Sequence, residues 1–137
     1  MRVLLITDIH ANLVALEAVA QDAGEVDAIW CLGDVVGYGP RPNECCAWVA
    51  EHADITVVGN HDWASLGRID LDDFNESARQ STAWTIEQLT EEWKSWLDAL
   101  PNRFIEGDTT LVHGSPRHPV WEYLLRPAQA VANFEYF

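Results

Sequence analysis

Residues 3–10 read VLLITDIH, an apolar run of four residues followed by a short, more polar segment. The run at 3–6 contains no polar position, which is typical of a strand buried on both faces of a parallel sheet. Asn12 can cap a following helix, whose apolar residues recur at helical spacing until Gly24 stops it. The stretch therefore predicts the first strand and the first helix of an α/β domain.

The same alternation of strand and helix continues along the chain. Residues 27–32 and 55–58 are predicted strands, and residues 42–52 are a predicted helix with a proline at its start. The order is strand, helix, strand, helix, strand. Such an order predicts a parallel sheet built from crossover units.

The rest of the chain predicts helices and one hairpin. Residues 75–100 have a helical pattern with a break at Thr90, and residues 104–106 and 109–112 form a predicted hairpin. Residues 127–137 form a predicted helix that ends the sequence with apolar side chains. Because that helix has no polar tail, we expect further chain to follow it.

Composition limits the classes of function. The 137 residues are 48% hydrophobic, which predicts one domain over residues 1–137, and the formal net charge is −14. Such a charge repels nucleic acid and anionic membranes, and no apolar run reaches the roughly 18 residues of a membrane span. The three cysteines, Cys31, Cys45 and Cys46, form no even disulfide framework, which predicts a reducing, cytoplasmic compartment.

Polar side chains follow four predicted strands at the point where each strand ends. Each alone has an ordinary explanation as a turn, a helix cap or a surface residue. Together they favour one site, because ligands bind at the carboxyl ends of strands in open α/β sheets. Carboxylate, imidazole and amide donors without a thiolate suit divalent Mn, Fe or Zn. The residues are Asp8, His10, Asp34, Asn60, His61, Asp62 and His113.

These residues stand in motifs that resemble a known family. The segments DIH at 8–10, GD at 33–34, GNHD at 59–62 and VHGSP at 112–116 resemble successive blocks of the calcineurin-like metallophosphoesterase superfamily. Their order and spacing match over nearly the whole chain. The resemblance implies the N-terminal part of an α/β/β/α sandwich, with a parallel β-α-β-α-β core, a helical segment and a hairpin. The small prokaryotic phosphodiesterase-like branch is the most similar.

The resemblance also implies two metal ions and the residues that hold them. Asp8 and His10 would bind the first ion, Asp34 would bridge both ions, and Asn60 and His113 would bind the second. The activity implied is hydrolysis of a small or nucleotide-like phosphoester, a phosphodiester above all, by a water that the two ions activate.

Two further residues of the motifs are implied to act in catalysis. His61 would lie beside the scissile phosphate and protonate the leaving oxygen or stabilise its charge. Asp62 would orient the His61 ring through the other ring nitrogen.

The chain departs from the family pattern in two places. The pattern ends in a G-H-x-H block with one histidine for each metal, and nothing after His118 supplies it, so we expect a truncated domain. Tyr38 occupies the position at which protein phosphatases of the family have a phosphate-binding arginine. Tyrosine cannot provide the charged, bidentate contact of arginine, which disfavours protein phosphatase activity.

Three residues are candidates for substrate binding. Arg41 and Arg117 flank the motifs and could contact phosphate, although a solvated loop arginine is the more ordinary explanation, for Arg41 above all. Trp63 directly follows the GNHD segment and could stack on a base or an aromatic leaving group, although packing would also explain it.

Two other functions compete with hydrolysis. Relatives of this fold that have lost catalytic residues act as protein-binding scaffolds, but His61 is present here, which favours an enzyme. A plain nucleotide-binding domain would need a glycine-rich turn after the first strand, and residues 8–12 contain no glycine. Exposed apolar surface in an incomplete sandwich could also drive oligomer formation.

Overall fold

A computed structural model describes residues 1–137, apart from the side chain of residue 73. Three parallel strands form its central sheet in the order β1 (Val3–Ile6), β2 (Ala28–Cys31) and β3 (Ile55–Thr56). Val3 pairs with Ala28, and the pairing continues residue by residue to the end of both strands. The predicted parallel core is therefore confirmed.

Helices α1 (Leu13–Ala23) and α2 (Pro42–His52) connect these strands and have the predicted bounds. The Asn12 side chain accepts a hydrogen bond from the backbone of Ala15 at 3.2 Å, so it caps α1. Both helices pack onto the sheet, and their contacts form the core. Its buried members include Leu16, Cys31, Cys46, Val49 and Leu97.

The third strand is shorter than the sequence predicts. Val57 still donates a hydrogen bond to Cys31 of β2, but the amide of Val58 donates to the carbonyl of Pro101 instead, at 2.9 Å. Both valines are fully buried, so the apolar pattern predicted their burial but not the change of partner. A short helix, α3 (Asn60–Ser65), follows at once. The sequence analysis did not predict that helix.

The helical segment consists of α4 (Glu76–Gln88) and α5 (Glu91–Ala99), with the predicted break between them. Thr90 has the N-cap position of α5, but its side chain makes no capping hydrogen bond. Its amide donates instead to the Asn43 side chain at 3.0 Å. Asn43 also donates to the Gln88 carbonyl at 2.9 Å, so α2 fixes the turn between α4 and α5.

The predicted hairpin is confirmed as β4 (Phe104–Glu106) and β5 (Thr109–Leu111), a separate antiparallel pair. After an irregular segment the chain ends in α6 (Pro127–Tyr136), as predicted. Over the described residues, no helix combines the length and the apolar character that crossing a membrane requires.

Candidate metal centre

The carboxyl ends of the three parallel strands and the segment after β5 meet at one edge of the sheet. His113 Nε2 lies 2.9 Å from Asn60 Oδ1 and 3.4 Å from Asp34 Oδ2. His10 Nε2 lies 3.7 Å from Asp8 Oδ1 and 3.8 Å from Asp34 Oδ2. The topology thus brings together side chains that are up to 105 positions apart in the sequence, from Asp8 to His113.

Two groups of possible metal ligands share the Asp34 carboxylate. One group is Asp34 with His10 and His61, and the other is Asp34 with Asp8 and His113. In each group the ligand atoms lie within 4.8 Å of one another. Asp34 has the central position that a bridging ligand needs. The assignment of the other residues to one ion or the other stays a prediction.

Backbone carbonyls fix the orientation of two of the imidazole rings. Nδ1 of His10 lies 3.1 Å from the carbonyl oxygen of Val36, and Nδ1 of His113 lies 2.7 Å from that of Leu32. A carbonyl oxygen can only accept, so Nδ1 carries the proton in both rings. When these rings are neutral, each Nε2 presents its lone pair towards the cluster, as metal-binding histidines do.

The donor set fits a cation. When the His113 ring is neutral, the lone pair of its Nε2 faces the amide oxygen of Asn60 and the carboxylate of Asp34, so three acceptors converge without a proton between them. Around His10, Nε2 faces the carboxylates of Asp8 and Asp34 in the same way. A divalent ion in each position would supply the positive charge that these acceptors need.

The charges of the cluster differ strongly from one carboxylate to another. The contact with His10 is the main reason why the pKa of Asp8 is lowered to about 2, with a further contribution from the hydrogen bond of Thr7. Burial, followed by the neighbouring carboxylate of Asp62, raises the pKa of Asp34 to about 7. Burial lowers the pKa of His10, but the contacts with Asp8 and Asp34 outweigh it and raise the pKa above its usual value.

The Asp62 side chain connects the loops after β2 and β3 and makes no contact that would orient the His61 ring. Its carboxylate, which is fully buried, accepts hydrogen bonds from the backbone amides of Asp34 at 2.9 Å, Val36 at 3.1 Å and Gly59 at 2.9 Å. Within the described residues Nδ1 of His61 has no partner. The predicted contact between Asp62 and the His61 ring is therefore wrong, because the folded chain turns the carboxylate towards these three amides instead.

The His61 ring is packed among other rings. Tyr38 and His10 lie 4.8 Å from it, and Phe74 lies 4.9 Å from it, measured between ring centroids. Burial, and then the electrostatic influence of His10 and of His113, lower the pKa of His61 to about 4. His61 is therefore a neutral imidazole near pH 7. In that form it can donate a hydrogen bond from one nitrogen only.

The loops that carry the cluster have an unusual backbone. Among the described residues, five that are not glycine have positive φ angles, and all five lie in the two loops after β1 and β2. Strained conformations of this kind persist where the surrounding contacts enforce them, and they concentrate at functional sites. The residues are Asp8, His10, Ala11, Asp34 and Tyr38.

Gly37 allows the close approach of this loop to His61. A methyl group at position 37 would lie 2.8 Å from Nδ1 and 3.2 Å from Cβ of His61. We therefore expect Gly37→Ala to displace the ring, lowering turnover at least about tenfold, the scale on which misplaced catalytic groups act. Steady-state hydrolysis with Mn²⁺ is the measurement.

Gly24→Ala is the matched control for this variant. Gly24 also has a positive φ, of 65°, but a methyl group there would meet nothing within 4 Å. Both variants carry the backbone strain of an alanine at positive φ, and only Gly37→Ala adds the collision with His61. Equal activity of the two variants would contradict the proposed function of the His61 ring.

Comparison with known proteins agrees with the geometry. A family model described as calcineurin-like phosphoesterase matches residues 1–132. The chain belongs to this family. A metallophosphoesterase from Sphaerobacter thermophilus, known from its crystal structure, is 59% identical with a TM-score of 0.88, over 100% of this chain and 56% of that one. The calcineurin-like phosphoesterase fold expected from the motifs is therefore confirmed.

Two curated proteins give the range of similarity within the family. An uncharacterized protein of Methanocaldococcus jannaschii is 42% identical over 127 residues, which cover 88% of this chain and 52% of that protein. A symmetrical bis(5'-nucleosyl)-tetraphosphatase of Aromatoleum aromaticum is 31% identical over 111 residues, which cover 78% of this chain and 39% of that protein. The chain thus spans about half, or less, of the length of these curated relatives.

A cavity of about 130 Å³ opens at the metal centre of this calcineurin-like phosphoesterase. Asp8, Asn60 and His113 form one wall, and the chain from Val120 to Tyr123 forms the other. The sequence analysis missed this second wall. The only available signal was the segment VWEY at 120–123, which lies close behind the VHGSP motif and contains two aromatic residues.

The three candidate substrate-binding residues have different locations. Arg41 is exposed before α2, and Arg117 is exposed with its amide bonded to Asn133 at 3.1 Å. In the described structure, no hydrogen bond or ion pair joins either guanidinium to the cluster. Trp63 is half-buried in α3 and lines a second cavity beside the first. Of the three residues, only Trp63 lines a cavity that borders the cavity at the candidate metal centre.

Buried cysteines do not take part in the chemistry of the centre. Cys31 ends β2, just before the loop that carries Asp34, and burial raises the pKa of its thiol to about 12. The thiol is therefore protonated at neutral pH and is neither a nucleophile nor a thiolate ligand. All three cysteines are free and buried.

Proposed function

We propose that this chain is a divalent-metal-dependent phosphoester hydrolase that holds two ions, of Mn, Fe or Zn, and acts on phosphodiesters. One observation carries the proposal: the Asp34 carboxylate lies between two groups of ligand atoms and belongs to both. Two ions at such a centre would lower the pKa of a water and neutralise the phosphoryl oxygens. His10 and His61 belong with Asp34 to the first group, and Asp8 and His113 belong with Asp34 to the second.

The chain's own residues have definable tasks in this reaction. The amide of His61 donates to Asp34 Oδ1 at 2.8 Å, which holds the shared carboxylate in its orientation. Asp62 ties the loops after β2 and β3 together through its three amide contacts. The neutral His61 ring donates a hydrogen bond to the leaving oxygen. Asn60 and His113 would bind one of the two ions together with Asp34.

The substrate we propose is a small, nucleotide-like phosphoester. The support is the similarity to a relative named as a symmetrical bis(5'-nucleosyl)-tetraphosphatase, which is 31% identical over most of this chain. Tyr38, whose ring lies against His10 and His61, argues against phosphoproteins, because no arginine is available there for a bidentate phosphate contact. The net charge of −14 argues against long nucleic acids.

Hydrolysis of bis(p-nitrophenyl) phosphate tests the proposed function. We expect turnover by the 137-residue chain that needs added Mn²⁺ and stops when a chelator is added in excess. Asp22→Asn, on an exposed position of α1, is the control variant and should retain full activity. A chain that binds two Mn²⁺ ions per molecule but hydrolyses neither diesters nor monoesters would contradict the proposal and favour a protein-binding scaffold.

A further inference from the structure

A second cavity lies beside the metal centre. It has a volume of about 290 Å³ and is lined by Trp63, Arg68, Ile69, Val120 and Trp121. Val120 and Trp121 also line the cavity at the metal centre, so the two cavities share a wall. A ligand held by the metal ligands could therefore extend past Trp121 into the second cavity.

Ring contacts connect this cavity to the reacting position. The centroids of His61 and Phe74 are 4.9 Å apart, and those of Phe74 and Trp121 are 5.0 Å apart, both in edge-on geometry. Two successive ring contacts thus connect His61 to Trp121. The side chain of Trp121 is 38% exposed, so part of the indole remains available to a ligand.

The lining favours a flat, uncharged ring. Two indoles, two aliphatic side chains and one arginine line the cavity, and none of the five is acidic. The guanidinium carbon of Arg68 lies 5.8 Å from the centroid of the Trp63 ring, and its charge is partly neutralised by an ion pair with Asp98. Aromatic faces beside an arginine are the features on which nucleobases stack in proteins.

The volume of the cavity and the net charge of the chain further restrict the class of ligand. A volume of about 290 Å³ is near the lower limit for ligand sites, so the cavity can hold one ring system of a larger molecule. The chain carries a net charge of −14, which disfavours a further anionic group in the cavity and leaves an uncharged group as the better fit. A nucleobase meets both conditions.

We propose that the cavity formed by Trp63, Arg68, Ile69, Val120 and Trp121 binds the nucleobase of the substrate, with Trp121 as the principal stacking partner. This inference rests on the proposed function, since it assumes that the phosphoester of the same molecule lies at the metal centre. It makes the cavity the determinant of substrate class. It also assigns a function to Trp121, which no motif contains.

Adenosine is the probe, because it has a base and no phosphate and so does not depend on the metal centre. We expect adenosine to bind the 137-residue chain in saturation-transfer NMR and in calorimetric titration, and ribose 5-phosphate without added metal not to bind. Trp121→Ala should weaken adenosine binding roughly tenfold, which is the usual effect of removing one stacking partner. Trp121→Leu, which retains apolar volume, should weaken it similarly.

Trp84→Ala is the matched control. Trp84 is 41% exposed on α4, outside both cavities, so its loss removes a comparable indole without touching the site. Adenosine binding that is equal in the wild type, both Trp121 variants and the Trp84 variant would overturn the proposal, as would no binding at all. Circular dichroism verifies that each variant is folded.

The two proposals fail separately. Hydrolysis of bis(p-nitrophenyl) phosphate without adenosine binding would contradict the proposed nucleobase binding and leave the proposed hydrolase activity intact. Adenosine binding that depends on Trp121, without any hydrolysis, would support nucleobase binding in the cavity and contradict the proposed hydrolase activity.

Discussion

Asp34→Asn is expected to make the metal-free chain more stable at pH 8 while abolishing its metal-dependent activity. Burial and the charge of Asp62 raise the pKa of Asp34 to about 7, from an ordinary value of 3.8. A carboxyl group with a raised pKa in the folded state favours folding when protonated. The wild type therefore loses stability as the pH rises from about 4 through about 7. Asparagine has no charge to bury and avoids this loss.

The substitution leaves the local structure able to form. The side-chain oxygen of the introduced asparagine can accept the amide of His61, as Oδ1 of Asp34 does at 2.8 Å. The φ angle of 53° at this position is also one that asparagine tolerates well. We expect a gain of about 4 kcal/mol in the free energy of unfolding at pH 8, and none below about pH 4.

Added metal should reverse the order of stability. Two ions, each at a hundred times its dissociation constant, would stabilise the native state by roughly 5 kcal/mol together, and we expect only the wild type to bind both. Urea unfolding of both proteins, at pH 4 and 8, with chelator and with Mn²⁺, measures this reversal. Metal analysis should find fewer than two ions in the variant.

Asp22→Asn, which removes one negative charge from an exposed position of α1, is the control for total charge. Its stability should follow that of the wild type under all four conditions. If Asp34→Asn retained two ions and full activity, Asp34 would not be a bridging ligand.

The sequence predicted those parts of the molecule that depend on local signals and on topology. The bounds of α2 follow from a proline at its start and from its apolar pattern, and both are visible within eleven residues. The meeting of Asp8 and Asp34 follows from parallel strand order, since all parallel strands end at one edge, and His113 joins them from the segment after the separate hairpin. Neither prediction required knowledge of a specific side-chain contact.

Other features depend on contacts between distant segments, which a pattern does not encode. The Asp62 carboxylate had two possible partners, the ring of its neighbour His61 and backbone amides, chiefly those of the loop after β2, and only the folded geometry selects the amides. The amide of Val58 similarly donates its hydrogen bond to the carbonyl of Pro101 and not to a neighbouring strand. Residues 120–123, which form the second wall of the cavity at the metal centre, lie in an irregular segment. In such a segment neither hydrophobic periodicity nor helix or strand propensity predicts where a side chain lies.

His61→Ala is expected to lower kcat by roughly 100-fold to 10,000-fold, the range for loss of a group that transfers or stabilises a proton. The pKa of His61 is lowered to about 4, mainly by burial, so the ring acts as a neutral hydrogen-bond donor. His61→Gln retains a donor and fills part of the space beside Tyr38 and Phe74. It should therefore lose less activity than His61→Ala. Initial rates on bis(p-nitrophenyl) phosphate give both values.

Metal content decides between two functions for the same ring. A nitrogen of His61 lies within 4.8 Å of ligand atoms of His10 and Asp34, so the geometry also permits a direct bond to an ion. If His61 acts on the leaving oxygen, His61→Ala should retain two ions per chain. If one ion is lost together with the activity, His61 is a ligand. His52→Ala, which removes an exposed imidazole stacked on Trp48 in α2, should change neither metal content nor rate, so any loss in the His61 variants reports on the centre itself.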